Sequence, residues 1–96
     1  MTANYELINN KQLKQYEFHI EDYVPKIEYI INHEENVYLT HTEVPYELGG
    51  QGVGSQLVEK TLTDIEESNM HVVPLCPFVA AYIRKNPEWK RLIAII

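Results

Sequence analysis

The residues with chemical potential fall in two short stretches. "VPYELGGQGVGSQLVEK", residues 44–60, places Gly49, Gly50, Gly52 and Gly54 within six positions, and "VVPLCPF", residues 72–78, holds the chain's one cysteine, Cys76, directly before Pro77. Glycine is costly to order and poor at starting a helix, so a cluster ahead of a helical pattern must gain something that side chains would prevent. One such gain is a run of bare N–H groups at a helix N-terminus that an anion can approach. A cysteine just ahead of a helix sits among backbone amides that favour its thiolate, the form that attacks carbonyl carbon. The plain alternatives are a glycine-rich turn and a small buried hydrophobe.

Two familiar phosphate loops do not match. A P-loop places Lys-Ser or Lys-Thr after its last glycine, and no lysine follows Gly54. A dinucleotide fingerprint needs G-x-G-x-x-G within a βαβ unit, whereas here the spacing is Gly50-x-Gly52-x-Gly54 after strands joined by short turns. What remains is a strand-to-helix turn whose amides face a pyrophosphate. It needs little side-chain charge.

The elements that must position these groups are legible from period. Asn4 to Ile8 is a candidate strand, with "NNK" at 9–11 as a turn. Tyr16, Phe18 and Ile20 alternate with Glu17, His19 and Glu21; Ile27, Tyr29 and Ile31 repeat the alternation, and "VYLTHTEV", residues 37–44, predicts a fourth strand. Leu57, Val58, Thr61, Leu62 and Ile65 then mark a helix over 54–68. "HVVPLC" at 71–76 is a fifth strand, and "PFVAAYIRK" at 77–85 a second helix that Pro87 stops. The expected fold is mixed α/β, or α+β: an antiparallel four-stranded meander, a helix, a fifth strand and a second helix, within one domain over 1–96. Pro74 cannot donate to a sheet ladder, so the fifth strand should be interrupted or at an edge.

Composition narrows the partners. The chain has 96 residues and a net charge of -6, with eight Lys and Arg residues mostly scattered, which argues against general nucleic-acid binding. A lone cysteine makes no internal disulfide, and neither a leader nor a run of ~20 apolar residues is visible, so a cytoplasmic protein without membrane attachment is expected. No metal site is expected. Trp89 is expected to anchor the core.

The stretch "LGGQGVGSQLVE" after "HTEVP", with "VVPLCPFVAAYIRKNPEW" beyond it, resembles the small single-domain members of the GNAT superfamily of acetyl-coenzyme A-dependent N-acetyltransferases. Gly52 and Gly54 stand at the last two positions of the family's [QR]-x-x-G-x-[GA] loop, while Gly49 replaces its Gln or Arg. The resemblance implies that acetyl-coenzyme A lies between splayed fourth and fifth strands. Its pyrophosphate would sit on Gly49, Gly50, Gln51, Gly52, Val53, Gly54 and Ser55, its pantetheine amides against the fourth strand near Glu43 and Val44, and a phosphate within reach of Lys85 and Asn86. An amine would be the acceptor. Two routes stay open: direct attack on the thioester, with His41 or Glu43, which alternate on one face of the fourth strand, as base and Tyr82 as acid; or transfer through a thioester on Cys76. A coenzyme A-binding module without useful catalysis is the alternative.

Overall fold

Alternation along the first half of the chain builds the sheet, and the switch to helical period at the glycines builds the layer that covers it. The computed structural model describes residues 3–95. It contains β1 (Ile8–Asn10), β2 (Gln15–Glu17), β3 (Lys26–Ile31), β4 (Asn36–Glu43), α1 (Val53–Glu67), β5 (His71–Pro74) and α2 (Pro77–Lys85), with 3₁₀ turns at Tyr46–Leu48 and Pro87–Leu92. The five strands form one sheet in sequence order, antiparallel from β1 to β4 and parallel between β4 and β5. Tyr16, Ile27, Tyr29, Val37, Leu39 and Val72 point to one face, where Leu57, Val58, Leu62 and Ile65 of α1 cover them. Each aliphatic side chain fully buried in this way contributes roughly 1.5–3 kcal/mol.

The expected order of elements holds, and the edges differ for local reasons. The first strand begins at Ile8 and runs through Asn9 and Asn10, rather than spanning Asn4 to Ile8 with those asparagines in a turn. Residues 3–5 cross α1 instead, because Gln56 captures their backbone: its Oε1 accepts from the Tyr5 N–H at 2.7 Å, and its Nε2 donates to the Ala3 carbonyl at 2.6 Å. The Lys60 ammonium adds bonds to the Tyr5 carbonyl and the Asn4 side chain. The alternation from Tyr16 to Glu21 supports only three strand residues, since Ile20 and Tyr23 exchange backbone hydrogen bonds of 3.0 and 2.8 Å that turn the chain, with Glu21 in the left-handed region.

The feature that matters most for function is a bulge in β4. Glu28 opposes His41, the next residue Tyr29 opposes Leu39, and Thr40 is therefore the extra residue. A bulge reverses which side chains face inward. Val37 and Leu39 are in the core, and after Thr40 it is Thr42, opposite the buried Ile27, that points inward, while His41 and Glu43 go to the outer face.

β5 pairs with β4 only from Asn36–His71 to Leu39–Pro74. Pro74 then ends the ladder: the Leu75 N–H folds back onto the Val73 carbonyl at 3.0 Å, and the Cys76 N–H makes a last bond to the Leu39 carbonyl at 2.9 Å. Beyond that bond, β4 pairs with no strand on this side among the described residues. Pro87 does stop α2, and a 3₁₀ turn follows that buries Trp89 and Leu92. The tail then runs beside β5, with the Ala94 N–H bonded to the Val72 carbonyl at 2.9 Å; Ile96, the end of the apolar tail, lies outside the described residues.

Replacing Gln56 by Leu removes both side-chain bonds to the leading segment. The expected result is a loss of about 1–2 kcal/mol in chemical denaturation, with faster amide exchange at Tyr5 and unchanged exchange in β3 and β4.

Candidate active site

The glycines occupy the link from β4 to α1, and different constraints hold them there. After the 3₁₀ turn the Gly49 N–H is taken by the Tyr46 carbonyl at 2.9 Å, so this amide is not free. Gly50 and Gly52 have φ of 77° and 73°, the left-handed region where a Cβ is strained. Gly52 is the N-cap of α1. It offers no side-chain acceptor, and no acidic residue stands in the first turn. A Ser, Thr, Asp or Asn cap would bind these N–H groups through its side-chain oxygen, which glycine does not have. Here the N–H groups of Val53, Gly54 and Ser55 and the positive end of a 15-residue helix are left without a side-chain cap.

Gly54 is different. A Cβ built there would stand 2.7 Å from Cζ of Phe78 and 3.5 Å from Cγ2 of Val44. The close neighbour at this position is the Phe78 ring, so packing against α2 is a further reason for a glycine here. The same contact brings the end of β4, the first turn of α1 and the start of α2 to one point.

A groove of about 450 Å³ opens beside α1, lined by Gly52, Ser55, Gln56, Glu59 and Lys60, with Tyr82 from α2 and the leading segment at Asn4. A second depression follows Val44, Pro45, Tyr46, Glu47 and Gly49. Gln51 is exposed in the turn between them. Tyr82 thus lies in the groove with Ser55 and Glu59. Burial raises its phenol above the ordinary value, and the nearby Glu59 carboxylate raises it further, so the hydroxyl remains a donor. The Nδ2 of Asn86 donates to the Tyr82 carbonyl at 2.9 Å and closes the C-terminus of α2. Lys85 is exposed on the last turn of that helix.

Cys76 is the N-cap of α2 and is only 4% exposed. Its sulfur lies 3.0 Å from Oγ1 of Thr42, the residue that the bulge turns inward. Burial pushes the thiol up, but the Thr42 hydroxyl and the amides of Val79, Phe78 and Thr42 outweigh it, and the thiol lies below the ordinary cysteine value. Because the Thr42 amide faces the sulfur, strand alternation turns those of His41 and Glu43 toward β3; the next amide facing the open edge is that of Val44.

His41 and Glu43 do share a face, but it is the outer one, away from the thiol. There Glu43 meets Lys26 at 3.6 Å, and the same ammonium reaches Glu28 at 3.2 Å. The structure therefore gathers Val44, Gly54 and Cys76 around the open edge, and Gly52, Ser55 and Tyr82 around the groove. Sequence reasoning missed Thr42 and Phe78. Phe78 was visible only as the neighbour of Pro77, and Thr42 was hidden because unbroken alternation would have pointed it outward.

An open strand edge and a helix N-terminus without a side-chain cap meet at this point of the fold. The sequence model of the GCN5-related N-acetyltransferases matches residues 15–92, and the chain belongs to that family. Acetyl transfer is therefore its class of reaction. A GCN5-like protein of Staphylococcus aureus, solved by NMR in solution, superposes with a TM-score of 0.72 at 22% identity, over 99% of this chain and 93% of that one. At this identity the likeness is one of fold. No curated protein matches the chain. No helix among the described residues is long and apolar enough to cross a membrane.

The glycine constraints can be separated by two substitutions. Gly50→Ala, with open space around the new methyl but a left-handed backbone, should cost about 1 kcal/mol in denaturation and leave the Phe78 ring resonances in place. Gly54→Ala should change stability by less than about 1 kcal/mol, since helix propensity offsets the contact, while the NMR signals of the exposed Phe78 ring move.

Proposed function

We propose that the protein transfers the acetyl group of acetyl-coenzyme A to an amine, a small molecule or the lysine or N-terminus of a protein, and that residues 1–96 act as one catalytic domain. The observation that carries this reading is the meeting of two backbone features at one point: the amides of Val53, Gly54 and Ser55, which have no side-chain cap, and the open edge of β4 at Val44. The residues present fit the group. Amides without a side-chain cap suit a pyrophosphate, a free strand edge suits the two amides of a pantetheine arm, and the groove beside Ser55 has room for further atoms of the ligand. Gly50, Gln51 and Gly52 shape the turn, Tyr82 donates from the groove wall, and Lys85 adds positive charge at the end of α2. The Gly49 N–H is bonded to the Tyr46 carbonyl, so Gly49 contributes through the shape of the turn, while Asn86 gives one donor to the Tyr82 carbonyl and keeps its second N–H for a phosphate.

Bound acetyl-coenzyme A supplies the acetyl group as a thioester. The covalent route is favoured by the donors around one sulfur: the Thr42 hydroxyl and the amides at the start of α2 hold Cys76 ready as thiolate. The sulfur bonds to the acetyl carbonyl carbon, the bond to the coenzyme A sulfur breaks, and the departing thiolate takes up the proton that Cys76 gave. The exchange is thiol for thiol and close to balanced in energy. An amine then attacks the acetyl-cysteine and restores the thiol. Direct attack is the second reading, favoured by the placement of His41 and Glu43 on the outer face of the same strand, where either could take the amine's proton as it approaches from that side. A binding module without turnover is the third.

Two measurements test this. Ser55→Glu places a carboxylate at the third position of α1, where it caps the helix; the fold should gain about 0.3–1 kcal/mol, while coenzyme A affinity in calorimetry falls at least about tenfold as charge meets pyrophosphate. Equal affinity would remove the site. Intact-mass analysis after mixing with acetyl-coenzyme A should show one added acetyl, absent in Cys76→Ala; full turnover of an amine panel by that variant selects direct attack, and binding without any turnover selects the module.

A further inference from the structure

Thr42 reaches Cys76 only because of the bulge. Without the extra residue Thr40, the side chains at 41 and 43 would continue the inward set of Val37 and Leu39, and Thr42 would face outward. With it, a hydroxyl stands 3.0 Å from the sulfur, across the line where β4 and β5 part. The residue is partly buried, and its backbone N–H also faces the sulfur. From the other side come the amides of Phe78 and Val79 in the first turn of α2. The sulfur is thus held between two elements, a strand edge and a helix start, and Thr42 supplies the only side-chain oxygen bonded to it among the described residues.

We propose that Thr42 is a positioning residue for the transfer: its hydroxyl fixes the Cys76 sulfur at the open edge of β4 and donates to that sulfur once the thiol has lost its proton. This rests on the reading of Cys76 as the group that receives the acetyl. In the resting thiol the S–H donates to Oγ1, and in the thiolate the hydroxyl proton turns to the sulfur, so one rotatable group serves both states without any other atom moving. The consequence is a sulfur whose direction is set before the thioester arrives. The effect is one of dipoles, not of charge. The titratable groups carried by the surrounding elements, His41 and Glu43 on β4, Tyr82 and Lys85 on α2, His71 on β5 and Glu59 on α1, make no hydrogen bond to the sulfur, and the outer-face position of His41 and Glu43 keeps them on the far side of the strand.

The test follows the thiol itself. The rate of Cys76 alkylation by iodoacetamide is measured against pH for the wild type, Thr42→Val and Thr42→Ser, together with coenzyme A affinity and the yield of acetyl adduct. Thr42→Val keeps shape and loses the hydroxyl. It should move the midpoint of the alkylation profile up by about one pH unit, so that the rate near neutrality falls roughly tenfold, while the limiting rate at high pH and the affinity for coenzyme A stay within about twofold. Thr42→Ser should restore the wild-type profile and the rate of adduct formation. A valine variant with an unmoved profile, or a serine variant that fails to restore it, overturns the proposal. A wild type that forms no adduct yet shows the shifted valine profile counts against the covalent route alone and upholds the hold of Thr42 on the sulfur.

Discussion

A strand that keeps one neighbour along its length and loses the other halfway is the constraint on which this structure depends. β4 pairs with β3 from Asn36 to Glu43, yet with β5 only as far as Leu39. Unpaired strand edges are normally covered or blunted, because their N–H and C=O groups recruit other chains. Here the opening is produced by Pro74, which cannot donate, and by the bulge at Thr40, which twists the strand where its partner leaves. The Cys76 N–H to Leu39 carbonyl bond marks the last point of closure. Everything proposed about ligand and chemistry lies within a few residues of it.

The helix start beside that edge is a second departure from ordinary structural economy. α1 is long, amphipathic and well buried on one face, yet its start turns through a left-handed residue, φ 73° at Gly52, where a serine or aspartate cap would be strained. Gly52 forgoes the side-chain cap at a cost of only about a few tenths of a kcal/mol. Gly50 and Gly52 are there for backbone shape, Gly54 for the Phe78 ring, and Gly49 abuts the Tyr46 carbonyl. One cluster in the sequence thus resolves into distinct physical demands. They converge on a single arrangement, in which the amides of the first turn stay open while the aromatic ring ties α2 to α1.

Much of this was legible in advance. The antiparallel meander, α1, β5 and α2 follow from period and from the placement of Pro74, Pro77 and Pro87, and the glycine turn marked the helix start. The family to which the chain belongs was approached from the same two stretches, residues 44–60 and 72–89. The misjudged first strand has a simple cause: nothing local in "NYELI" tells that Gln56, about fifty residues later, will take its backbone bonds. That the Asn86 amide also closes the end of α2 was hidden for the same kind of reason, since its bond to the Tyr82 carbonyl is set by the fold.

Period, proline and glycine act through the local backbone, and so the sequence by itself determined the order of elements from the second strand onward, the turn that starts α1, and that a thiol stands at a helix start. Which side chains meet that thiol is not a local property. It follows from the pairing register of β3 with β4, where one unpaired residue reverses inside and outside for everything after it. Only the tertiary structure decided that Thr42, rather than His41 or Glu43, faces Cys76, because a bulge is settled by the strand opposite and leaves no mark on the alternating residues themselves.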